Sequence, residues 1–361
     1  MMRVAFDLTP ERLSGAGVGT YSRELRHALK ARDDIALTEI AHGASGTRSL
    51  PLRIGAGLLR EGWHYPFGAE RAARAAGADL LHMPASVPVR TRSLPLVVTI
   101  HDAIPWRHPE WFTHVNATQQ RLLVTRTAHH ATRVITDSLA SKADLIEILG
   151  LDPERIDAIP LGVSPAFSPD LRDVEWLQRR FSTTGPVVLS VGTPEPRKNI
   201  VGSLAAFRRV QQTIPEATLL LVGGAGWRNE ELDALIEPFR KSVVRAGRLP
   251  FEDLTRVYAS ADCFLFPSLR EGFGFPPLEA MASGLPVVCS DRPSLPEVVG
   301  DAALMAEPDE AEALAAHITT ILSDEGIARD LRHRGLVRSR DFTWGATAEA
   351  TVASYRRALA H

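Results

Sequence analysis

Short apolar runs that alternate with helix-patterned stretches set the strongest limit on what this chain can fold into. In the first half the runs are RVAFDL (3–8), DLLHM (79–83), LPLVVTIHD (94–102), ATRVITDS (131–138) and IDAIPLGV (156–163). Helical patterns cover 18–30, 115–130 and 139–149. The second half restarts with PVVLSVG (186–192), ATLLLVGG (217–224), SVVRAG (242–247), DCFLFPS (262–268) and PVVCS (286–290), with helices over 199–213, 252–260 and 276–283. Apolar runs of strand length separated by helices form parallel sheets, covered on both faces by right-handed crossovers. The fold class is therefore α/β. A Pro- and Ser-rich stretch, LGVSPAFSPDL (161–171), breaks the rhythm and marks a linker. The reading is two Rossmann-like domains, 1–165 and 166–343, followed by 344–361, whose helix is expected to pack on the first domain.

Composition narrows the setting. A length of 361 residues exceeds the roughly 100–200 of a typical domain. The net charge of −2 gives no reason to expect nucleic acid as a partner. Nothing approaches the ~20 consecutive apolar residues of a membrane span. The opening MMRVAFDLTP runs straight into a strand with no export signal. Cys263 and Cys289 lie in apolar runs and read as small buried hydrophobes in a reducing compartment. A cytoplasmic location is expected.

In open α/β sheets ligands bind beyond the carboxyl ends of the strands, so the loops that follow strands carry the chemistry. The most informative is SLREGFGFPPLEAMASGLPVVCS, 268–290. A Gly-rich loop with Glu271, Gly272 and Gly274 leads into a helix opened by Pro276 and Pro277 and closed by Gly284. Glu271 in the loop and Glu279 on the helix can face one cleft, and free amides at the helix start, near Leu278, make a phosphate site. The bland alternative is a plain strand–turn–helix whose Glu is stabilised by the helix dipole. After the strand PVVLSVG come Thr193, Pro194, Glu195, Pro196, Arg197, Lys198 and Asn199. Cations at a helix start oppose the dipole, which favours a pyrophosphate clamp over two solvated charges. SGAGVGTYSREL (14–25) is a Gly-rich turn entering a helix, where Gly15, Gly17 and Gly19 allow close backbone approach to a ligand. It lacks the third Gly of a dinucleotide fingerprint. His101-Asp102 end a strand, and Asp102 either orients the imidazole or caps the next turn.

EGFGFPPLEAMASGLPVV (271–288) resembles the E-x7-E segment of the family 4 retaining glycosyltransferases, which have the two-domain GT-B fold. AGVGTYSREL (16–25), HDAIPWRHPEWF (101–112), VGTPEPRKNI (191–200), SLPEVVGDAALM (294–305) and FTWGATAEATVASYRRAL (342–359) agree, and the likeness is greatest to a bacterial subgroup rich in mannosyltransferases. The resemblance implies two domains facing across a cleft. It implies that Glu271 holds the donor sugar's hydroxyls and Glu279 the nucleotide ribose. Backbone amides of Phe273, Gly274 and Phe275 would support the sugar or phosphates, and Leu278 would offer its amide to the pyrophosphate. Gly17 would lie against the donor phosphate, with Gly19 beside it, and His101 near the transferred sugar. Thr193 stands where the family often has Arg, and Arg197 is the candidate replacement beside Lys198 and Asn199.

The donor implied is a GDP- or UDP-linked sugar, a substrate and not a cofactor, with GDP-mannose slightly favoured. No aspartate-rich metal motif is apparent, so no metal is expected. The acceptor is a glycan, a lipid-linked molecule or a small molecule, with Trp63, His64, Tyr65, Trp106, Ser86 and Asn116 as candidates for its pocket. Residues 48–74 mix five Arg with apolar side chains and read as a helix on its own sheet, or as a peripheral contact with anionic lipid at the inner face of a membrane. The rival functions are a nucleotide-sugar epimerase of the same architecture and a non-catalytic sugar-nucleotide-binding protein.

Overall fold

The computed structural model describes residues 1–13, 17–41, 65, 68–224 and 229–360, with backbone alone for 114–116 and 229–232. Within it the chain divides into two compact units, Met1–Gly162 with Thr343–His361, and Val163–Phe342.

The first unit is built on six strands: β1 (Met2–Asp7), β2 (Ile35–Ile40), β3 (Leu80–Met83), β4 (Leu96–Thr99), β5 (Arg133–Thr136) and β6 (Ile156–Ala158). They form one parallel sheet in the order β2-β1-β3-β4-β5-β6. Every residue of β3, β4 and β5 is buried, the mark of strands covered on both faces. The edge strand β2 is buried only at its two ends. Its mixed sequence, IALTEI, is why the apolar-run reading passed over it.

Two local departures have identifiable causes. The expected helix 115–130 is three pieces, His114–Gln119, a π-helical turn Gln120–Val124, and Thr125–His130. Thr125 Oγ1 donates to the Arg121 carbonyl at 2.7 Å and accepts from Trp106 Nε1, while Thr127 Oγ1 is shared between the Leu123 and Val89 carbonyls. Hydroxyls drawn into the backbone ladder in this way disturb regular winding. The strand expected over 94–102 stops at Thr99, leaving His101 and Asp102 in the loop beyond it. The helix Trp344–Leu359 belongs to this unit; Thr343 caps it by accepting from the Ala346 amide. It buries Trp344, Thr347, Ala348, Thr351, Val352, Tyr355 and Ala358, a stripe at helical spacing.

The second unit holds β7 (Val187–Val191), β8 (Thr218–Val222), β9 (Val243–Gly247), β10 (Cys263–Phe266), β11 (Val287–Ser290) and β12 (Ala303–Ala306). Its parallel order is β12-β11-β10-β7-β8-β9. The chain adds β8 and β9 on one side of β7, then crosses over and adds β10, β11 and β12 on the other. The crevice between the ends of β7 and β10 is thus the switch point, where ligands bind in doubly wound sheets. Cys263 and Cys289 are buried free thiols, and burial pushes both up in pKa. No helix among the described residues is long and apolar enough to cross a membrane.

The loop after β7 is held by a close glycine contact. Gly192 donates to the Val222 carbonyl, and a Cβ on Gly223 would sit 2.0 Å from the Gly192 carbonyl oxygen. Gly223→Ala is therefore expected to destabilise the protein by ~1–3 kcal/mol, the usual cost of overpacking, read as a lower melting temperature than wild type.

Candidate active site at the switch point

Two loops meet beyond the carboxyl ends of β7 and β10. The first runs through a short 3-10 turn, Pro196–Lys198, into the helix Ile200–Thr213. The second follows β10 and enters the helix Phe275–Ala282. The Leu269 amide donates to the Arg197 carbonyl at 2.7 Å and ties them together. Ser294 Oγ donates to the Glu271 carbonyl at 2.9 Å, fixing the second loop from behind.

Their side chains converge on one carboxylate. Arg197 Nη1 lies 2.5 Å from Glu271 Oε2 and Lys198 Nζ lies 2.7 Å from Oε1. The Glu271 and Lys198 side chains are only 8% and 9% exposed, so this is a nearly buried pair, with Arg197 at 24% reaching out from it. Glu195 takes the Arg197 Nε at 2.8 Å. Lys198 Nζ also sits 4.5 Å above the centre of the Phe266 ring, a cation–π contact. Burial and the neighbouring Arg197 charge pull the Lys198 ammonium down to about 8, against the opposing pull of Glu271. Burial works to raise Glu271, but Arg197 and Lys198 outweigh it and hold the carboxyl below its ordinary value.

Glu279 lies in the first turn and a half of the helix Phe275–Ala282. Tyr258 Oη donates to its Oε2 at 2.9 Å. Burial pushes its carboxyl up to about 7, with Tyr258 and Lys198 restraining the rise. Gly274 caps the helix with φ +135, where a Cβ would meet Leu295 at 3.0 Å. Phe273 is buried edge-on between Phe275 and Phe342, with ring centres 5.8 and 5.9 Å away.

The expected role of Leu278 needs correction. Its amide donates to the Gly274 carbonyl at 3.2 Å and closes the first helical turn, so it is not a free phosphate donor. Pro276 and Pro277, which precede it, carry no N–H at all. The positive charges at this place are those of Arg197 and Lys198. Asn199 also serves the fold: with φ +51 it accepts from the Gly202 amide at 3.1 Å as helix cap and donates to the Pro308 carbonyl at 2.8 Å. Thr193 is half-buried between Gly192 and Pro194, beside Gly223.

In the first unit Gly17 and Gly19 lie in the opening turn of the helix Gly17–Lys30, while Gly15 falls outside the described residues. His101 is oriented by Asp137, whose Oδ2 is 2.8 Å from its Nδ1. Burial disfavours the imidazolium, but Asp137, Asp102 and the Pro84 carbonyl prevail and raise its pKa. Of the two roles open to Asp102, the structure shows the cap, accepting from the Ile104 amide at 2.9 Å. Asp137 went unnoticed in the sequence because a lone acid ending ATRVITDS looks like any cap; only the sheet order, with β5 beside β4, brings it to His101. Of the acceptor candidates, Tyr65 is buried, Ser86 and Trp106 are half-buried, and Trp63, His64 and the Asn116 side chain lie outside the described residues. Most of 48–74, the stretch read as a helix or a lipid contact, lies outside them too.

Residues 15–167 match the pattern described as Glycosyltransferase Family 4, and residues 175–337 that described as Glycosyl transferases group 1. The chain is 31% identical over 380 residues to O-antigen chain mannosyltransferase B of Escherichia coli, covering 98% of this chain and 100% of that one. It is 27% identical over 288 residues to the serotype-specific mannosyltransferase WbdA of Escherichia coli, covering 76% of this chain but only 35% of that longer protein. Its fold superposes on sucrose-phosphate synthase from Thermosynechococcus elongatus with a TM-score of 0.77 at 22% identity, over 100% of both chains. A mannosyltransferase aligned end to end, two complementary family patterns and a pair of parallel six-stranded sheets agree: the chain is a glycosyltransferase of family 4, with the GT-B fold.

Proposed function

We propose that this glycosyltransferase moves a hexose, with retention of configuration, from a nucleoside-diphosphate sugar to a hydroxyl of a glycan, lipid-linked or small-molecule acceptor. GDP-mannose is the first choice of donor, because the relative matched over its whole length is named a mannosyltransferase, and a UDP-hexose is the second. The observation that carries the reading is the convergence of Arg197 and Lys198 on Glu271 at the switch point. Two cations that share one carboxylate have the charge to take a pyrophosphate when it enters. Glu271, released from them, is an acceptor for sugar hydroxyls, and ionised Glu279 is one for the ribose.

In the proposed reaction the bond from the anomeric carbon to the phosphate oxygen breaks early, leaving an oxocarbenium-like sugar. The acceptor oxygen bonds to the same face, and its proton passes to the departing phosphate oxygen. The products are the glycoside and the nucleoside diphosphate. No protein nucleophile takes part. Arg197 and Lys198 stabilise the charge growing on the phosphate, and His101, held by Asp137, positions the reacting groups. Two resident cations supply the charge that a divalent ion would otherwise bring, so the proposal includes metal independence. The free thiols suit the reducing cytoplasm, and a lipid-linked acceptor would bring the chain to the inner membrane face.

Lys198→Ala should lower kcat by ~10²–10³, the usual cost of removing a group that stabilises developing charge, measured as GDP release from GDP-mannose. Wild-type-like turnover would remove Lys198 from the mechanism. EDTA should leave the rate unchanged; loss restored by a divalent ion would overturn metal independence. Incubation with GDP-mannose alone should give slow hydrolysis, whereas an isomerised nucleotide sugar would point to an epimerase. Glu279, pushed up to about 7, loses its charge as the pH falls, so donor affinity should weaken between pH 7.5 and 6, by at most about tenfold per unit. Linkage has the opposite sign for stability. The folded state favours the proton on Glu279, so wild type should lose ground to Glu279→Gln as the pH rises from the ordinary carboxylate range through about 7, checked by urea titrations at several pH values.

A further inference from the structure

Deep in the first unit, four polar side chains form a continuous hydrogen-bonded chain that the reaction does not use. Tyr355 Oη lies 2.6 Å from His82 Nδ1, His82 Nε2 lies 2.9 Å from Thr99 Oγ1, and the same Thr99 oxygen lies 3.0 Å from Tyr21 Oη. All four residues are at most 1% exposed. Burial drives His82 down to about 3, so its imidazole is neutral. A neutral ring has one N–H, so one nitrogen accepts while the other donates. If Tyr355 donates to His82, then His82 donates to Thr99; if Thr99 donates to His82, then His82 donates to Tyr355. The two ends of the chain are therefore coupled through the choice of tautomer.

The chain ends against His101. The Tyr21 ring meets the His101 imidazole edge-on, with centres 4.8 Å apart and planes at 88°. Asp137 holds the imidazole at Nδ1, and the Tyr21 ring packs against it from another side. Its hydroxyl is pinned to Thr99, two residues before His101 on the same stretch of backbone. Tyr21 also sits one turn into the helix that opens at Gly17. A tyrosine serving only to fill space would need no buried hydroxyl, since an unsatisfied one is costly and Phe would pack as well.

We propose that Tyr21 is a positioning residue that sets the plane of the His101 imidazole, and that it is itself held in place through Thr99 and His82 by Tyr355 on the C-terminal helix. The kinetic consequence rests on the role given to His101 above; the coupling itself does not.

The test has two arms. In donor-free protein labelled at histidine, the His101 ring resonances, identified by their loss in His101→Ala, should shift in Tyr21→Phe, Thr99→Val and Tyr355→Phe, and return in Thr99→Ser. Unchanged His101 resonances in variants whose His82 signals move would overturn the coupling, and the threonine pair serves if either tyrosine variant fails to fold. With GDP-mannose, Tyr21→Phe should lower kcat ~5- to 20-fold while the donor KM stays within about twofold, a loss in the range of a disturbed catalytic geometry. In the His101→Ala background the same substitution should cost nothing further, since it acts only through His101. An equal loss in both backgrounds would make Tyr21 merely structural. Normal turnover by His101→Ala, with the resonance shifts intact, would instead refute the role of His101 and leave the coupling standing.

Discussion

Two cations side by side in a nearly buried loop repel each other, and the arrangement at the end of β7 is possible because Glu271 lies between them. Its two oxygens separate Arg197 from Lys198, and Phe266 offers its electron-rich face to the ammonium. Removing one partner from such a group leaves an uncompensated buried charge, typically a cost of ~3–5 kcal/mol. Much of the local architecture answers to this requirement. The Leu269–Arg197 backbone bond and the Ser294 clamp on Glu271 hold the loops after β7 and β10, and the tight Gly192–Gly223 approach ties the loop after β7 to the one after β8. The switch point supplies the space, and the carboxylate makes it electrically habitable.

The cationic site is built from side chains to an unusual degree. Phosphate sites at helix starts ordinarily use backbone N–H groups and the helix dipole. Here Pro276 and Pro277 have no N–H, and the Leu278 amide is spent on Gly274. The positive charges at this place are one guanidinium and one ammonium, both paired with Glu271. Under the proposed function, recognition of an anion here would be an exchange of partners on these side chains, and would depend on a new partner for Glu271. In that proposal the hydroxyls of the donor sugar would serve, linking acceptance of the phosphate to the presence of the sugar.

Much of this was legible in the residues, and the failures have physical reasons. Ten of the twelve strands among the described residues announce themselves as apolar runs, most of them largely buried. The two missed, IALTEI and ALMA, are edge strands buried only at their two ends, where the apolar signal thins. The residues meeting at the switch point, Arg197, Lys198 and Glu271, were readable because loops after strands are where such chemistry concentrates. Leu278 was misjudged because helix-start amides are free only up to the third residue, and locating the cap requires knowing that Gly274 takes a positive φ. Asp137 was beyond reach of any local pattern. It meets His101 through strand pairing 36 residues away in sequence, and its own neighbours carry no trace of that.

The helix Trp344–Leu359 has a consequence for how the protein is made. It completes the core of the first unit, placing Tyr355 on His82 and Ser354 and Arg357 on Asp157, yet it is encoded after the whole of the second. A ribosome working from the N-terminus thus delivers Val163–Phe342 as an uninterrupted segment while the earlier unit still waits for its covering helix. Domains generally fold as units as they emerge. The first unit therefore reaches its full set of elements only after the whole of the second has been synthesised.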